Sequence, residues 1–322
     1  MKAIVQDRYG SADVLRLRDI DKPELGDDDV LVRVLAAGVD PGVWHLMTGL
    51  PYLVRPGFGL RAPKTPVRGM DVAGRVEAVG ENVTQFEIGH EVFGTCNGSF
   101  AEYACAREDK LVFKPANLSF EQAAAVPVSA CTALHALRDS GEVRAGQKVL
   151  IVGASGGVGT FAVQLAKAFG AEVTGVCSTA KLELVRSIGA DQVIDYRRDD
   201  FSQMGQRYDL ILDIAGNRSL SLLRSALTPE GTLVIVGGEG GGPWLGGTDR
   251  QIRALILSRF VRHNLRNVIS VENKEDLLVL KELVESGKVT PVIDRTYPLR
   301  EAPEAIRYLE DGHARGKVVI TV

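Results

Sequence analysis

Between Lys148 and Val236 short apolar runs alternate with stretches in which apolar residues recur at helical spacing. Val149–Val152 is apolar at every position and mostly β-branched, which predicts a strand buried on both faces. Val158, Phe161, Ala162, Leu165 and Phe169 then share one face of a helix that Gly170 ends, and 172–177 is a second buried strand. The alternation continues with helix 180–188, strands 192–194 and 208–213, helix 219–227 and strand 232–236. Strands separated by helices of this length predict an α/β fold with a parallel, doubly wound sheet. A glycine-rich loop over 237–247, a helix over 250–260 and a strand over 268–271 follow. Helix 274–286, strand 292–297, helix 301–309 and strand 317–322 form a tail that need not join that sheet.

The first third has a different rhythm. Short strands are expected over 2–6, 15–19, 28–37, 67–79, 91–95, 99–104 and 110–114, with no helix longer than a few turns before Ser119. This reads as a partly open β-barrel. Val39-Asp40-Pro41 breaks the third strand and opens a segment with Trp44, His45, Met47 and Tyr52. Residues 51–66, rich in proline and glycine and carrying Arg55 and Arg61, read as a loop of the kind that covers a site. Ser119 with Gln122 is a capping-box signature for a helix, and 130–140 is expected to be another.

Composition narrows the function. A chain of 322 residues, 45% hydrophobic and 25% charged, predicts about two globular domains. Net charge is −3 with no dense Lys/Arg run, which argues against nucleic acid or an anionic membrane as the main partner. No apolar run approaches a membrane span, and Met1-Lys-Ala-Ile-Val reads as a strand and not as a signal peptide. Cys96, Cys105, Cys131 and Cys177 are scattered, which suits reduced thiols in a cytoplasmic protein.

The candidate chemistry lies in Gly153, Gly156 and Gly159, between a strand and a helix with a second strand following on time. That context makes the triplet a dinucleotide fingerprint: the backbone approaches a pyrophosphate whose charge rests on the helix N-terminus. An acidic residue closing the second strand would bond a ribose 2′-hydroxyl and repel a 2′-phosphate. Here Ser178, Thr179, Ala180 and Lys181 follow, with no carboxylate before Glu183, so NADP(H) is favoured over NAD(H).

The phrases Gly69-Met-Asp-Val-Ala-Gly-Arg-Val-Glu-Ala-Val-Gly80, Thr132-Ala-Leu-His-Ala-Leu137, Gly153–Gly159 and Gly189-Ala-Asp-Gln-Val-Ile-Asp-Tyr196 resemble the medium-chain dehydrogenase/reductase superfamily. Within it the chain looks like the zinc-independent quinone or enone oxidoreductase branch. The resemblance implies a GroES-like catalytic domain over 1–118, a Rossmann NADP(H)-binding domain over 119–272 and a tail over 273–322 that completes the first. It also implies an active site between the domains, and a homodimer joined through edge strands around 266–271.

By the same matching, Ser155, Gly156, Gly157 and Val158 are expected on the pyrophosphate, and Ser178, Lys181 and Tyr196 around the 2′-phosphate. Thr132 falls near the nicotinamide amide, Gly216, Gly237 and Gly238 border the dinucleotide, and Lys317 is a further cofactor contact. The zinc enzymes' ligand positions are occupied by Asp40 and Met70-Asp71, a poor donor set, so no metal is expected. Asp40 is a candidate to orient a substrate oxygen or a ribose, the other reading being an N-cap before Pro41. Tyr52 is a candidate hydrogen-bond or proton donor, with His45 as a possible relay and Trp44, Phe58 and Trp244 as walls for a flat substrate or plain core.

The implied activity is NADPH-dependent reduction of quinones or α,β-unsaturated carbonyls by hydride transfer from nicotinamide C4. An alcohol dehydrogenase or carbonyl reductase, and an NADPH-binding regulatory protein with little turnover, are the alternatives.

Overall fold

The structure, a computed structural model, describes residues 1–238 and 242–322, so the loop expected over 237–247 lies partly outside the described residues. The chain divides into two compact units, one of Met1–Cys131, Glu272–Gly287 and Pro291–Val322, the other of Thr132–Val271 and Lys288–Thr290. The first unit therefore runs past the expected boundary at 118. The helix Phe120–Ala124, closed by the expected reciprocal bonds of Ser119 and Gln122, belongs to it.

In the first unit strands run in the order Ile293–Pro298, Lys317–Thr321, Asp29–Val39, Asp71–Val79, Glu91–Thr95, Leu111–Phe113, with Tyr103–Arg107 also on Asp29–Val39. The two tail strands pair in parallel, and Lys317–Thr321 joins Asp29–Val39 antiparallel. Val30, Val32, Val34, Val72, Val76, Val92, Phe100 and Ile320 fill the inside of this GroES-like, partly open barrel. One expectation shifts here. The strand placed at 99–104 is Tyr103–Arg107, because Gly98 and Ser99 turn the chain through bonds to the Gly69 carbonyl. Pro41–Thr48, opened by the strand break at Pro41, is a helix with Asp40 as N-cap, Pro41 in its first turn and Gly49 at φ +63° after its end.

In the second unit six strands run in the order Gln192–Asp195, Glu172–Cys177, Lys148–Val152, Tyr208–Asp213, Leu227–Ile235, Asn264–Asn267, all pairs parallel. This is the doubly wound order whose switch point lies between the third and fourth positions. Leu150, Val152, Ile211, Leu233 and Ile235 are buried in its core. The last strand lies at Asn264–Asn267 and not at 268–271. It is an edge strand, so it is held by one row of backbone bonds and needs little apolar sequence.

Candidate functional site

The switch point of the second unit is built by backbone. Gly153 and Ala154 amides both donate to the Val176 carbonyl at 3.1 Å, and Ile214 and Ala215 amides both donate to Val152. Gly153 has φ +92°, and a Cβ there would lie 3.1 Å from the Ala215 amide nitrogen. A Cβ on Gly159 would come 2.1 Å from the Gly153 carbonyl oxygen, so this glycine allows the helix to pack on the turn. Gly156 is the N-cap of helix Gly157–Ala168 with no side-chain cap, and a Cβ there would meet only the Gly153 oxygen at 3.7 Å. Its bareness therefore leaves room for an approaching group, and the first helical N–H groups have no partner within the helix. Ser155, Gly156, Gly157 and Val158 are brought together here.

Gly216, Gly237 and Gly238 join them at the next strand ends. A Cβ on Gly216 would lie 2.4 Å from Gly238 Cα, and one on Gly237 2.1 Å from the Ile214 oxygen. Thr132 is half-buried on helix Pro127–Leu134 and opens the second unit.

At the end of strand Glu172–Cys177, the Lys181 amide donates to the Ser178 carbonyl at 2.9 Å, and the Tyr196 amide to the Cys177 carbonyl at 3.1 Å. Ser178, Lys181 and Tyr196 thus share one sheet end. Asp195, which ends the neighbouring strand in register with Cys177, is the carboxylate of this corner. It accepts the Thr179 hydroxyl at 2.5 Å and the Arg197 amide at 3.1 Å, with Arg198 Nε at 3.7 Å. The Thr179 bond above all holds its carboxyl below the usual range.

Arg218, which the sequence reading did not single out, lies with its guanidinium carbon 5.9 Å from the Tyr196 ring centroid. It also lines a cavity of about 520 Å³ with Gly216, Gly238, Arg250 and Arg253. No motif marks it, because only the fold carries the turn after Asp213 to Tyr196. Asp213, fully buried, pairs with Arg250, and burial is the main force raising its carboxyl pKa.

In the first unit, Asp40 Oδ1 accepts the Gly42 amide at 2.7 Å, the N-cap reading, while its buried Oδ2 has no partner among the described residues. Asp71 accepts the Val128 amide at 2.8 Å and Lys317 Nζ at 3.2 Å, and Lys317 also donates to Ser129 Oγ at 3.0 Å. Burial pushes the Asp71 carboxyl up to about 7 against the pull of Lys317, and Asp40 adds to the rise. Lys317, expected on the cofactor, has its ammonium directed at these two residues of its own unit and is 2% exposed.

A Cβ on Gly42 would lie 2.8 Å from Asp40 Oδ1 and 3.4 Å from Met70 Sδ, so Asp40 and Met70 are neighbours. This donor set does not fit zinc. Met70 offers a thioether, and both Asp71 oxygens are already bonded. Among the described residues no group of three His, Cys, Asp or Glu could hold a metal ion.

Tyr52 lies on the short turn Tyr52–Val54, with the Arg55 guanidinium 4.4 Å from its ring and 4.6 Å from that of Tyr9. His45 Nδ1 donates to the Leu50 carbonyl at 2.7 Å, and Trp44 packs on the first unit's core. Phe58 is half exposed and Trp244 is 72% exposed, so neither is core.

Comparison with known proteins agrees with this architecture. The family described as alcohol dehydrogenase GroES-like domain matches residues 26–116, and that described as zinc-binding dehydrogenase matches 188–320. The chain is 35% identical to a 2-methylene-furan-3-one reductase of Solanum lycopersicum, covering 99% of this chain and 79% of that protein. It is also 35% identical to the NADPH-dependent alkenal/one oxidoreductase, chloroplastic, of Arabidopsis thaliana, with the same coverage. The solved quinone oxidoreductase of Coxiella burnetii superposes with a TM-score of 0.87 at 31% identity, over 100% of this chain and 99% of that one. With a GroES-like barrel, a doubly wound nucleotide sheet and relatives of this kind, the chain belongs to the quinone and enone oxidoreductase branch of the medium-chain dehydrogenase/reductase superfamily.

Proposed function

We propose that this protein reduces the conjugated C=C of an enone, or a quinone, using NADPH and no metal. One observation carries the choice of cofactor. The carboxylate at the ribose end of the sheet, Asp195, is bonded to the Thr179 hydroxyl and the Arg197 amide, and Ser178, Lys181, Tyr196 and Arg218 at the same end suit a 2′-phosphate. When bound, NADPH supplies hydride from nicotinamide C4 to the electrophilic carbon of the substrate.

The chain's own part is binding and charge placement. Ser155, Gly156, Gly157 and Val158 hold the pyrophosphate on backbone N–H groups, and Gly216, Gly237 and Gly238 border the dinucleotide. Thr132 meets the nicotinamide amide. Asp40 presents its unpartnered Oδ2 to orient substrate or ribose, and Tyr52 donates a hydrogen bond to the oxygen that gains charge. A metal-dependent carbonyl reduction is disfavoured by the donor set around Asp40, Met70 and Asp71.

The protein works as a homodimer in this reading. Strand Asn264–Asn267 is a sheet edge, and Phe260, Ile269 and Val271 beside it are exposed apolar side chains, the kind of edge that pairs with its own copy. Its four cysteines form no disulfide among the described residues, which supports a reducing, cytoplasmic setting.

The test is steady-state oxidation of NADPH and NADH against a quinone, a linear enone, an aldehyde and a blank, each with and without chelator. Quinone or enone turnover with NADPH, unchanged by chelator, is expected. Aldehyde-only turnover abolished by chelator would overturn both the substrate class and the metal-free mechanism. Tight NADPH binding without turnover would instead indicate a regulatory binder.

A further inference from the structure

Arg68 is a cation in the wrong surroundings. Its amide donates to the Ile4 carbonyl and its carbonyl accepts from Phe100, which fixes the residue inside the first unit, 4% exposed. Nη1 donates to the Leu46 carbonyl at 3.2 Å and Nη2 to the Thr65 carbonyl, while the buried Nε has no partner among the described residues. No carboxylate pairs with it among the described residues, and burial lowers the guanidinium pKa to about 10. Two neutral carbonyls do not neutralise a desolvated charge, and an apolar side chain would fill the position at less cost.

The same residue lines a cavity of about 210 Å³, with Lys64 and Asn97 as polar neighbours and Leu46 and Phe58 as apolar ones. Among the described residues no acidic one lines it. The floor is opened by glycine: Gly98 has φ +87°, and a Cβ there would lie 3.1 Å from Val67 Cβ. Two cations, an amide and two apolar walls around a space smaller than a drug-sized pocket describe a small, partly apolar anion.

We propose that this cavity binds a short-chain carboxylate, its carboxylate on Arg68 and Lys64 and its hydrocarbon part against Leu46 and Phe58. A carboxylate supplies the counter-charge that Arg68 lacks, and the charge-assisted bonds give the affinity. Inorganic phosphate shares the charge but gains nothing from the apolar walls. The site stands whether or not the chain is a reductase.

The rival is that Arg68 only ties the Leu46 and Thr65 carbonyls together. The full chain would be titrated with butyrate, butyramide and inorganic phosphate by calorimetry, with the arginine Nε–H resonances followed by NMR. Butyrate is expected to bind saturably and to shift one buried Nε–H signal, the one missing from Arg68→Lys. Butyramide should not bind, and phosphate should bind about tenfold more weakly or worse. Lys64→Ala, at an exposed position that folding does not need, should weaken butyrate at least about threefold, and Arg68→Met about tenfold or more. Absence of butyrate binding, or equal binding by wild type and Lys64→Ala, overturns the proposal even if Arg68→Met fails to fold. Phosphate binding as tight as butyrate overturns the carboxylate assignment.

Discussion

Lys317 Nζ lies 3.2 Å from Asp71 Oδ2, both side chains sealed from solvent in the first unit and separated by 246 positions in the chain. The tail strand that carries Lys317 pairs with Asp29–Val39, and Asp71 begins the strand on the other side of it. A buried pair of this kind is weak evidence for stability, but leaving one partner alone is costly.

Lys317→Met is therefore expected to destabilise the first unit by about 3–5 kcal/mol. The double variant Lys317→Met/Asp71→Leu should recover a large part of that loss, measured by denaturant unfolding. A double variant no better than the single one would mean that the pair is not coupled.

The pair also predicts a pH dependence. The folded carboxyl of Asp71 is raised to about 7 from an unfolded value of about 4, so folding favours its protonated form. Its contribution to stability is complete below about 4 and is lost as pH rises through about 7. The stability of wild type relative to Asp71→Asn should therefore fall across that window and level off above it. A flat difference would show that the carboxyl titrates in its ordinary range.

The glycine turn offers a separation of fold from binding. Gly159→Ala places a Cβ 2.1 Å from the Gly153 oxygen and is expected to destabilise the second unit. Gly156→Ala meets nothing closer than 3.7 Å, so thermal stability should hold while NADPH affinity drops about tenfold or more. Fluorescence titration with NADPH beside a melting curve distinguishes them.

Cofactor choice is testable at the ribose end. Lys181→Ala and Arg218→Ala should each lower kcat/KM for NADPH, Lys181→Ala by about tenfold, with little change for NADH. Ser178→Asp should turn the preference toward NADH, since its carboxylate would repel a 2′-phosphate. Equal losses with both cofactors would place these residues outside the phosphate site.

Asp40→Asn keeps an N-cap oxygen for Gly42 and should cost well under about 1 kcal/mol of stability. If Oδ2 orients substrate or ribose, kcat/KM falls at least about tenfold in the same variant. Unchanged kinetics would leave Asp40 as a helix cap alone.

What was legible in the chain rests on local rules. The Ser119/Gln122 box, the buried strands Val149–Val152 and Tyr208–Asp213, and the Gly153–Gly159 turn each declare themselves within a dozen residues, because propensity, capping and glycine conformation act at short range. The helix Pro41–Thr48 had its Asp, Pro and Gly signals but was short and flanked by a strand, so periodicity did not show it. Edge strand Asn264–Asn267 was misplaced toward the apolar 268–271, since one-sided backbone pairing leaves no hydrophobic pattern. The contacts between distant residues were decided by tertiary structure alone. Lys317 meets Asp71 across the barrel sheet, Arg218 meets Tyr196 across two strand ends, and Arg68 loses its solvent without gaining a carboxylate among the described residues. Burial and charge pairing depend on what the rest of the chain brings to a point, and no spacing along the sequence encodes that.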